Sequence, residues 1–185
     1  MVLFLFLSHL GLGIVFTLAI VSREAGVKFF RFNAGLAAAL VGAAFVFRPF
    51  EADLTGINLS ALVALAVAKG ATVFYWATVG RAFANIRPAL VAVACASGLV
   101  ALIAQALTLT AGAAMGSKVL TIASFLSSAA LLGVASTAMI LGHWYLILPS
   151  MPISHLQSIV KVHIASMVVW IVVVAAAVIV AIETW

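Results

Sequence analysis

The chain has 185 residues, of which 67% are hydrophobic and only 7% are charged, against roughly a quarter charged in an average soluble domain. This composition excludes a water-soluble globular protein. The net charge of +5 requires no nucleic acid partner, because basic residues also anchor membrane proteins at the cytoplasmic surface. The single cysteine, Cys95, excludes an internal disulfide and every metal or haem attachment that needs a Cys-x-x-Cys pair.

Long apolar segments recur along the whole chain and predict the fold. A helix needs about 20 residues to span a bilayer, and backbone groups in lipid must pair within their own segment, which favours helices. We therefore predict an all-α transmembrane bundle of six helices with very short loops, forming one integral membrane domain over residues 1–185. Charged and proline-bearing breaks place the helices at about Val2–Val21, Phe29–Phe47, Ile57–Ala84, Ala89–Ala113, Leu120–Leu148 and His155–Ile182.

The distribution of basic residues predicts the orientation of the bundle. The first apolar run has no basic residue before it and is longer than a signal-peptide core, so we expect it to be retained as a helix. If the N-terminus lies outside, the inner links hold six basic residues, namely Arg23, Lys28, Arg31, Arg81, Arg87 and Lys161, and the outer links hold two, Arg48 and Lys118. Cytoplasmic loops are enriched in Lys and Arg. We expect an N-out, C-out protein of a bacterial-type cytoplasmic membrane.

The fifth segment is the richest in small polar residues and is expected to lie at the centre of the bundle. Small residues allow helices in lipid to approach closely, and hydroxyl groups can bond across helices. Its possible interhelical donors are Ser124, Ser127, Ser128, Ser136 and Thr137.

Three of the four histidines lie around the break between the fifth and sixth segments. Pro149 and Pro152 should end the fifth helix, and the stretch Ser154–Gln157 resembles a capping box that opens the sixth. His143 and His163 then lie roughly 8 and 12 Å into neighbouring antiparallel helices. This shared depth makes them candidate metal ligands.

The chemistry of an imidazole pair in a membrane allows several ligands. Two histidines can be axial ligands of a haem b iron, and they can also contact a chlorophyll-type pigment or bond to a quinone carbonyl. Trp144 and Tyr145 are neighbours that could contact such a cofactor. They could equally form an interfacial aromatic belt, where a hydrated histidine costs little. His155 is expected to be exposed at the start of the sixth helix.

Two further polar residues lie inside predicted helices. His9 precedes Gly13 by one turn, which leaves a flat space that a ring could fill, and Gln105 lies at comparable depth; a bond from His9 to a backbone carbonyl is the alternative. Lys69 lies near the bilayer centre, where a charge is costly. Its candidate partners are a carbonyl, the face of Trp76, water, an anionic ligand and an acid of another subunit. Alternatively the lysine is neutral, since burial disfavours its charged form.

The function that follows is an expectation based on these few residues. The chain resembles small integral subunits of respiratory or photosynthetic electron-transfer complexes, which have short loops and histidines within the membrane. We therefore predict a subunit of such a complex, not catalytic by itself, that binds haem, pigment or quinone through membrane-embedded histidines and contacts lipid and other membrane subunits. A purely structural assembly subunit and a small-solute carrier or channel are the alternatives. Motifs of hydrolases and metalloproteases are absent from the sequence.

Overall fold

The structure, a computed structural model, describes residues 1–48, 56–81, 83–147 and 153–183. These ranges contain no strand, two short 3-10 helices at Arg23–Ala25 and Ala84–Ile86, and six α-helices: α1 (Val2–Ile20), α2 (Gly26–Val46), α3 (Gly56–Thr78), α4 (Arg87–Leu109), α5 (Met115–Ile147) and α6 (Ile153–Glu183). All six are long and apolar enough to cross a membrane. The predicted all-α bundle of six helices is confirmed, while its N-out, C-out orientation stays a prediction.

The ends of α3 and α4 differ from the predicted positions. The helix α3 ends at Thr78 rather than Ala84, because Gly80 and Phe83 take positive φ angles of 78° and 58° that an α-helix cannot continue through. Pro88 lies in the first turn of α4, where a proline loses no helical hydrogen bond. The same helix stops at Leu109, shortly before Gly112, whose φ is 80°.

Five helices, α2 to α6, begin earlier than predicted. The helix α2 begins at Gly26 and α5 at Met115, so the stretch MGSK is the first turn of α5 rather than a link. The helix α6 begins at Ile153, which places Ser154 inside the first turn instead of at the N-cap, and the predicted capping box is therefore wrong. Pro149 and Pro152 lie outside the described residues.

The most buried helix of the bundle is α1, while α5, which we predicted to be central, packs against α1, α2, α4 and α6. Ten of the 19 residues of α1 are buried. Its two glycines explain this burial, because they allow two neighbours to approach on different faces. Gly11 lies against Val41 of α2, and Gly13 lies against the backbone of Ala129 and Gly133 of α5.

A buried seam of small residues joins α1 to α5. Gly13 faces Gly133, and one turn later the Oγ1 atoms of Thr17 and Thr137 lie 2.7 Å apart. The Thr17 hydroxyl donates its hydrogen to the carbonyl of Ile14 at 2.7 Å, so Thr137 is the donor in the interhelical bond. Because both contacts advance by four residues, α1 and α5 run in the same direction.

Candidate functional site

A cavity of about 460 Å³ lies where α1 ends, α2 begins, α3 ends and α4 begins. Its volume is in the range of small-molecule sites. Under the predicted orientation, this end of the bundle faces the cytoplasm. Its lining includes Leu18, Arg23, Val27, Phe30, Tyr75, Val79, Arg87, Val91 and Cys95.

Two arginines from different elements form the charged part of this cavity. Arg23 is the first residue of the 3-10 helix after α1, and Arg87 is the first residue of α4. Nη2 of Arg87 donates to the carbonyl oxygen of Thr78 at 3.2 Å. Since the last carbonyls of a helix have no partner within it, this bond caps α3 and holds the Arg87 guanidinium at the cavity.

The remaining wall of the cavity is apolar and extends towards the membrane interior. Tyr75 of α3 is buried with 7% of its surface exposed. Cys95 lies eight residues beyond Arg87, about 12 Å further along α4, and its Sγ approaches the Val15 carbonyl at 3.8 Å. The cavity therefore presents guanidinium groups at the helix ends and apolar side chains at depth, as a ligand with an acidic head and an apolar body requires.

From the sequence alone, we interpreted Arg23 and Arg87 only as topology anchors. Both lie within a few residues of a predicted helix end on the same side of the membrane, which was the one available signal. The sequence does not show that the links after α1 and α3 adjoin, because this depends on the order in which the helices pack.

The two histidines of the predicted pair differ in their exposure. His143 of α5 is exposed, whereas His163 of α6 is partly buried and its Nδ1 has no hydrogen-bond partner among the described residues. Trp144 and Tyr145 pack against the core, and Trp144 meets Phe29 edge-on with ring centroids 6.4 Å apart. Over residues 1–48, 56–81, 83–147 and 153–183, no group of three His, Cys, Asp or Glu side chains could hold a metal ion.

His9 is buried, with 6% of its surface exposed. The space beside Gly13 that a ligand ring was expected to fill is occupied by the backbone of α5. The imidazole instead meets the Phe125 ring edge-on at a centroid distance of 4.6 Å. Its Nε2 has no hydrogen-bond partner in the described part of the chain, so the expected bond to a carbonyl is not formed by that atom.

Gln105 of α4 is the second buried polar residue at this depth, with 5% of its surface exposed. Neither Oε1 nor Nε2 of its amide bonds to a described residue. Gly98 of α4 lies against Leu12 and Phe16 of α1. Because α4 and α1 are antiparallel in an alternating bundle, Gln105 lies within about one turn of His9 in depth.

Lys69 contacts α2 rather than Trp76. Its Nζ lies 5.7 Å from the centroid of the Phe45 ring and next to Gly42, where an added Cβ would lie 3.2 Å from Nζ. The indole of Trp76 packs on Gly35, and its ring is 5.5 Å from the guanidinium carbon of Arg31. Of the candidate partners of Lys69, an aromatic ring face is present, but it is that of Phe45 rather than Trp76.

We expected His155 to be exposed, but its side chain is largely covered. Its Nε2 lies 2.5 Å from Oε2 of Glu24, and 19% of its side chain is exposed. The contact connects the link after α1 to the first turn of α6.

These contacts leave the cavity beside Arg23 and Arg87 as the best-formed candidate site among the described residues. The imidazoles, Gln105 and Lys69 lie elsewhere in the bundle as separate polar positions. No protein-family model, curated protein or solved structure matches the chain.

Proposed function

We propose that the chain is an integral membrane protein that binds a membrane-borne amphiphile with an acidic head in the cavity formed by α1–α4. One observation carries the proposal: Arg23 and Arg87, from two different elements, line the same cavity with apolar walls. A guanidinium can bind a carboxylate or phosphate through two parallel hydrogen bonds. The apolar side chains deeper in the bundle would contact the hydrocarbon part of the ligand.

We also propose that this protein acts with other membrane subunits in a bacterial-type cytoplasmic membrane. Of the described residues of α6, only Ile159 is buried, so a long apolar surface is available to lipid or to another subunit. The excess of basic residues in the predicted inner links supports this membrane and orientation.

Spin-labelled lipids test the binding proposal directly. The protein is reconstituted with spin-labelled phosphatidic acid, stearic acid or phosphatidylcholine, and the immobilised fraction is measured by electron paramagnetic resonance. Acidic probes should be immobilised more strongly than phosphatidylcholine. The comparison of phosphatidic acid with stearic acid distinguishes a phosphate head from a carboxylate head.

Arginine variants locate the binding in the cavity. Arg23→Gln and Arg87→Gln should each weaken binding of the acidic probe by about 1.5–3 kcal/mol, the range for a hydrogen bond to a charged group. Arg81→Gln is the matched control, because Arg81 is an exposed residue that follows α3 and does not line the cavity. Equal effects of all three variants would show nonspecific surface attraction and would contradict the proposal.

The second candidate function is the electron-transfer subunit that binds haem, pigment or quinone through His143 and His163. The observation in its favour is the buried Nδ1 of His163, which has no hydrogen-bond partner within the described ranges. A histidine nitrogen can ligate a haem iron or donate to a quinone carbonyl. Because His143 is exposed, a shared ligand would lie at the surface of α5 and α6 rather than between their packed faces.

An absorbance spectrum of the purified protein tests this second candidate. A bound haem or pigment gives visible bands, and extraction of the lipid fraction reveals a quinone. If the two histidines act as a pair, His143→Ala and His163→Ala should lose similar amounts of cofactor and the double variant hardly more. Full cofactor content in the double variant, or no cofactor in the parent protein, would remove this candidate.

A further inference from the structure

A groove on the outer surface of α2 and α3 is separate from the cavity beside Arg23 and Arg87. It has a volume of about 470 Å³, and its lining includes Phe45 of α2 and Ala66, Lys69, Gly70, Val73 and Phe74 of α3. Val73 and Phe74 are 41% and 49% exposed. The groove therefore opens to the surroundings of the bundle rather than to its core.

A cation lines this groove deep within the membrane. Lys69 lies nine residues before the end of α3 at Thr78, about 14 Å from that end. Its Nζ lies beside the Phe45 ring and next to Gly42, but no carboxylate of a described residue forms a salt bridge with it. Charged residues at such depth are costly, and they usually pair with each other or face an aqueous cavity.

The shape of the groove allows another helix to approach closely. Ala66 and Gly70 are exposed and lie one turn apart on α3. No atom lies within 4 Å of the position that a Cβ of Gly70 would occupy. Small residues at such spacing are typical of contacts between helices in lipid.

We propose that this groove binds a transmembrane helix of another protein, and that an Asp or Glu near the middle of that helix pairs with Lys69. This inference rests on the proposed assembly with other membrane subunits, but not on the ligand of the α1–α4 cavity. An acidic partner helix complements the charge of Lys69. An anionic lipid would not, because its headgroup stays at the membrane surface, away from the depth of Lys69.

Among the described residues, a second copy of this chain offers no carboxylate in the middle of a transmembrane helix. The chain has four acidic residues. Glu24 lies in a 3-10 helix and Glu183 is the last residue of α6. Glu51 and Asp53 belong to the predicted link between the second and third helices and lie outside the described residues.

Photo-crosslinking in the native membrane tests this inference. A photoreactive amino acid replaces Val73 in the full-length protein, and the cross-linked peptide is identified by mass spectrometry. The matched control replaces Leu99 of α4, which is 42% exposed and lies outside the groove. We expect position 73 to cross-link a transmembrane segment with an Asp or Glu in its central turns, and Lys69→Met to abolish this product while Lys69→Arg retains it.

A charge exchange completes the experiment. Lys69→Glu should abolish the cross-link, and changing the partner's carboxylate to lysine should restore it. Rescue by Glu51→Lys or Asp53→Lys instead would place the acid in this chain and overturn the inference. A cross-linked segment without a central acid, or only lipid products at position 73, would also overturn it.

The same measurements separate this inference from the other proposals. If positions 73 and 99 both cross-link only to lipid, no other subunit contacts the bundle at these surfaces of α3 and α4, and the proposed assembly is contradicted there. A partner without a central acid would leave the assembly standing and reject only the role of Lys69. Binding of spin-labelled acids to the α1–α4 cavity should be unchanged in Lys69→Met, since Lys69 is not among the residues that line that cavity.

Discussion

Hydroxyl and amide side chains in the interior of this bundle mostly bond to the backbone of their own helix. Thr72 donates to the carbonyl of Ala68 and Asn33 to that of Phe29. Such bonds give a side-chain donor a partner without specifying a neighbouring helix, although the buried Oδ1 of Asn33 has no hydrogen-bond partner among the described residues. The bond between Thr17 and Thr137 differs because it joins two helices.

At Thr137 we expect a measurable loss of stability on removal of the hydroxyl. Thr137→Val should lower the free energy of unfolding in detergent by about 0.6 kcal/mol, the average for hydrogen bonds between membrane helices, and by at most about 1.7 kcal/mol. Thr121→Val is the control, because Thr121 lies on the same helix and, among the described residues, its side chain bonds only to the Ser117 carbonyl. If both substitutions cost the same, the interhelical bond contributes nothing beyond a local one.

A substitution of His9 tests whether this residue contacts a ligand ring, as predicted from the sequence. Since its buried Nε2 has no hydrogen-bond partner among the described residues, the imidazole carries a desolvation cost without a compensating bond. His9→Leu should therefore leave the free energy of unfolding unchanged or raise it. A fall of more than about 1 kcal/mol, the net worth of a typical hydrogen bond, would show that His9 has a bound partner.

Among the helices, α1 and α5 form the closest contact through their glycines. A Cβ at Gly13 would lie 2.0 Å from the Ala129 carbonyl oxygen, and one at Gly133 would lie 2.0 Å from the Gly13 carbonyl carbon. Either alanine substitution forces the two helices apart, because both contacts are with backbone atoms.

We expect Gly13→Ala and Gly133→Ala each to destabilise the bundle by about 1–3 kcal/mol, the usual cost of overpacking. Gly142→Ala is the control on α5, since no atom lies within 4 Å of its Cβ position and alanine favours a helix. Thermal unfolding in detergent measures all three variants. A Gly13→Ala protein as stable as Gly142→Ala would contradict the observed approach of the helices.

The number and type of the elements could be predicted because each apolar run is long enough to span a bilayer. Their ends could be predicted less well. We predicted that Pro88 would lie in the link before α4. In the structure it lies in the first turn of α4. The end of α3 depends on Gly80 and Phe83, and the positive φ of Phe83 has no signal in its residue type.

The packing order of the helices also lay beyond the sequence pattern. The many hydroxyl groups of α5 suggested a central position, and α5 does pack against α1, α2, α4 and α6. The close approach of α2 at Gly11 and of α5 at Gly13, which makes α1 the most buried helix, was not predicted. The same limitation hid the candidate site. Arg23 and Arg87 are separated by 64 positions in the chain, and only the contact between α1, α2, α3 and α4 brings them to one cavity.

For the whole molecule, cysteine labelling tests the predicted orientation. In a Cys95→Ser background, Ala111→Cys should react with a membrane-impermeant maleimide from outside, and Asn85→Cys only after the membrane is opened. Both positions are exposed and lie in different links, so accessibility of the side chain does not bias the comparison. The reverse pattern would invert the bundle and place the Arg23–Arg87 cavity at the outer surface.

If the cavity beside Arg23 and Arg87 binds an acidic amphiphile, the purified protein should retain this ligand. Native mass spectrometry of the protein extracted from its own membrane tests this proposal most directly, because a retained ligand adds its mass and can be identified after release. We predict one phosphate- or carboxylate-bearing amphiphile per chain, retained in Arg81→Gln and lost in the Arg23→Gln, Arg87→Gln double variant. A protein that carries no such amphiphile, or a double variant that retains it fully, would contradict the proposal.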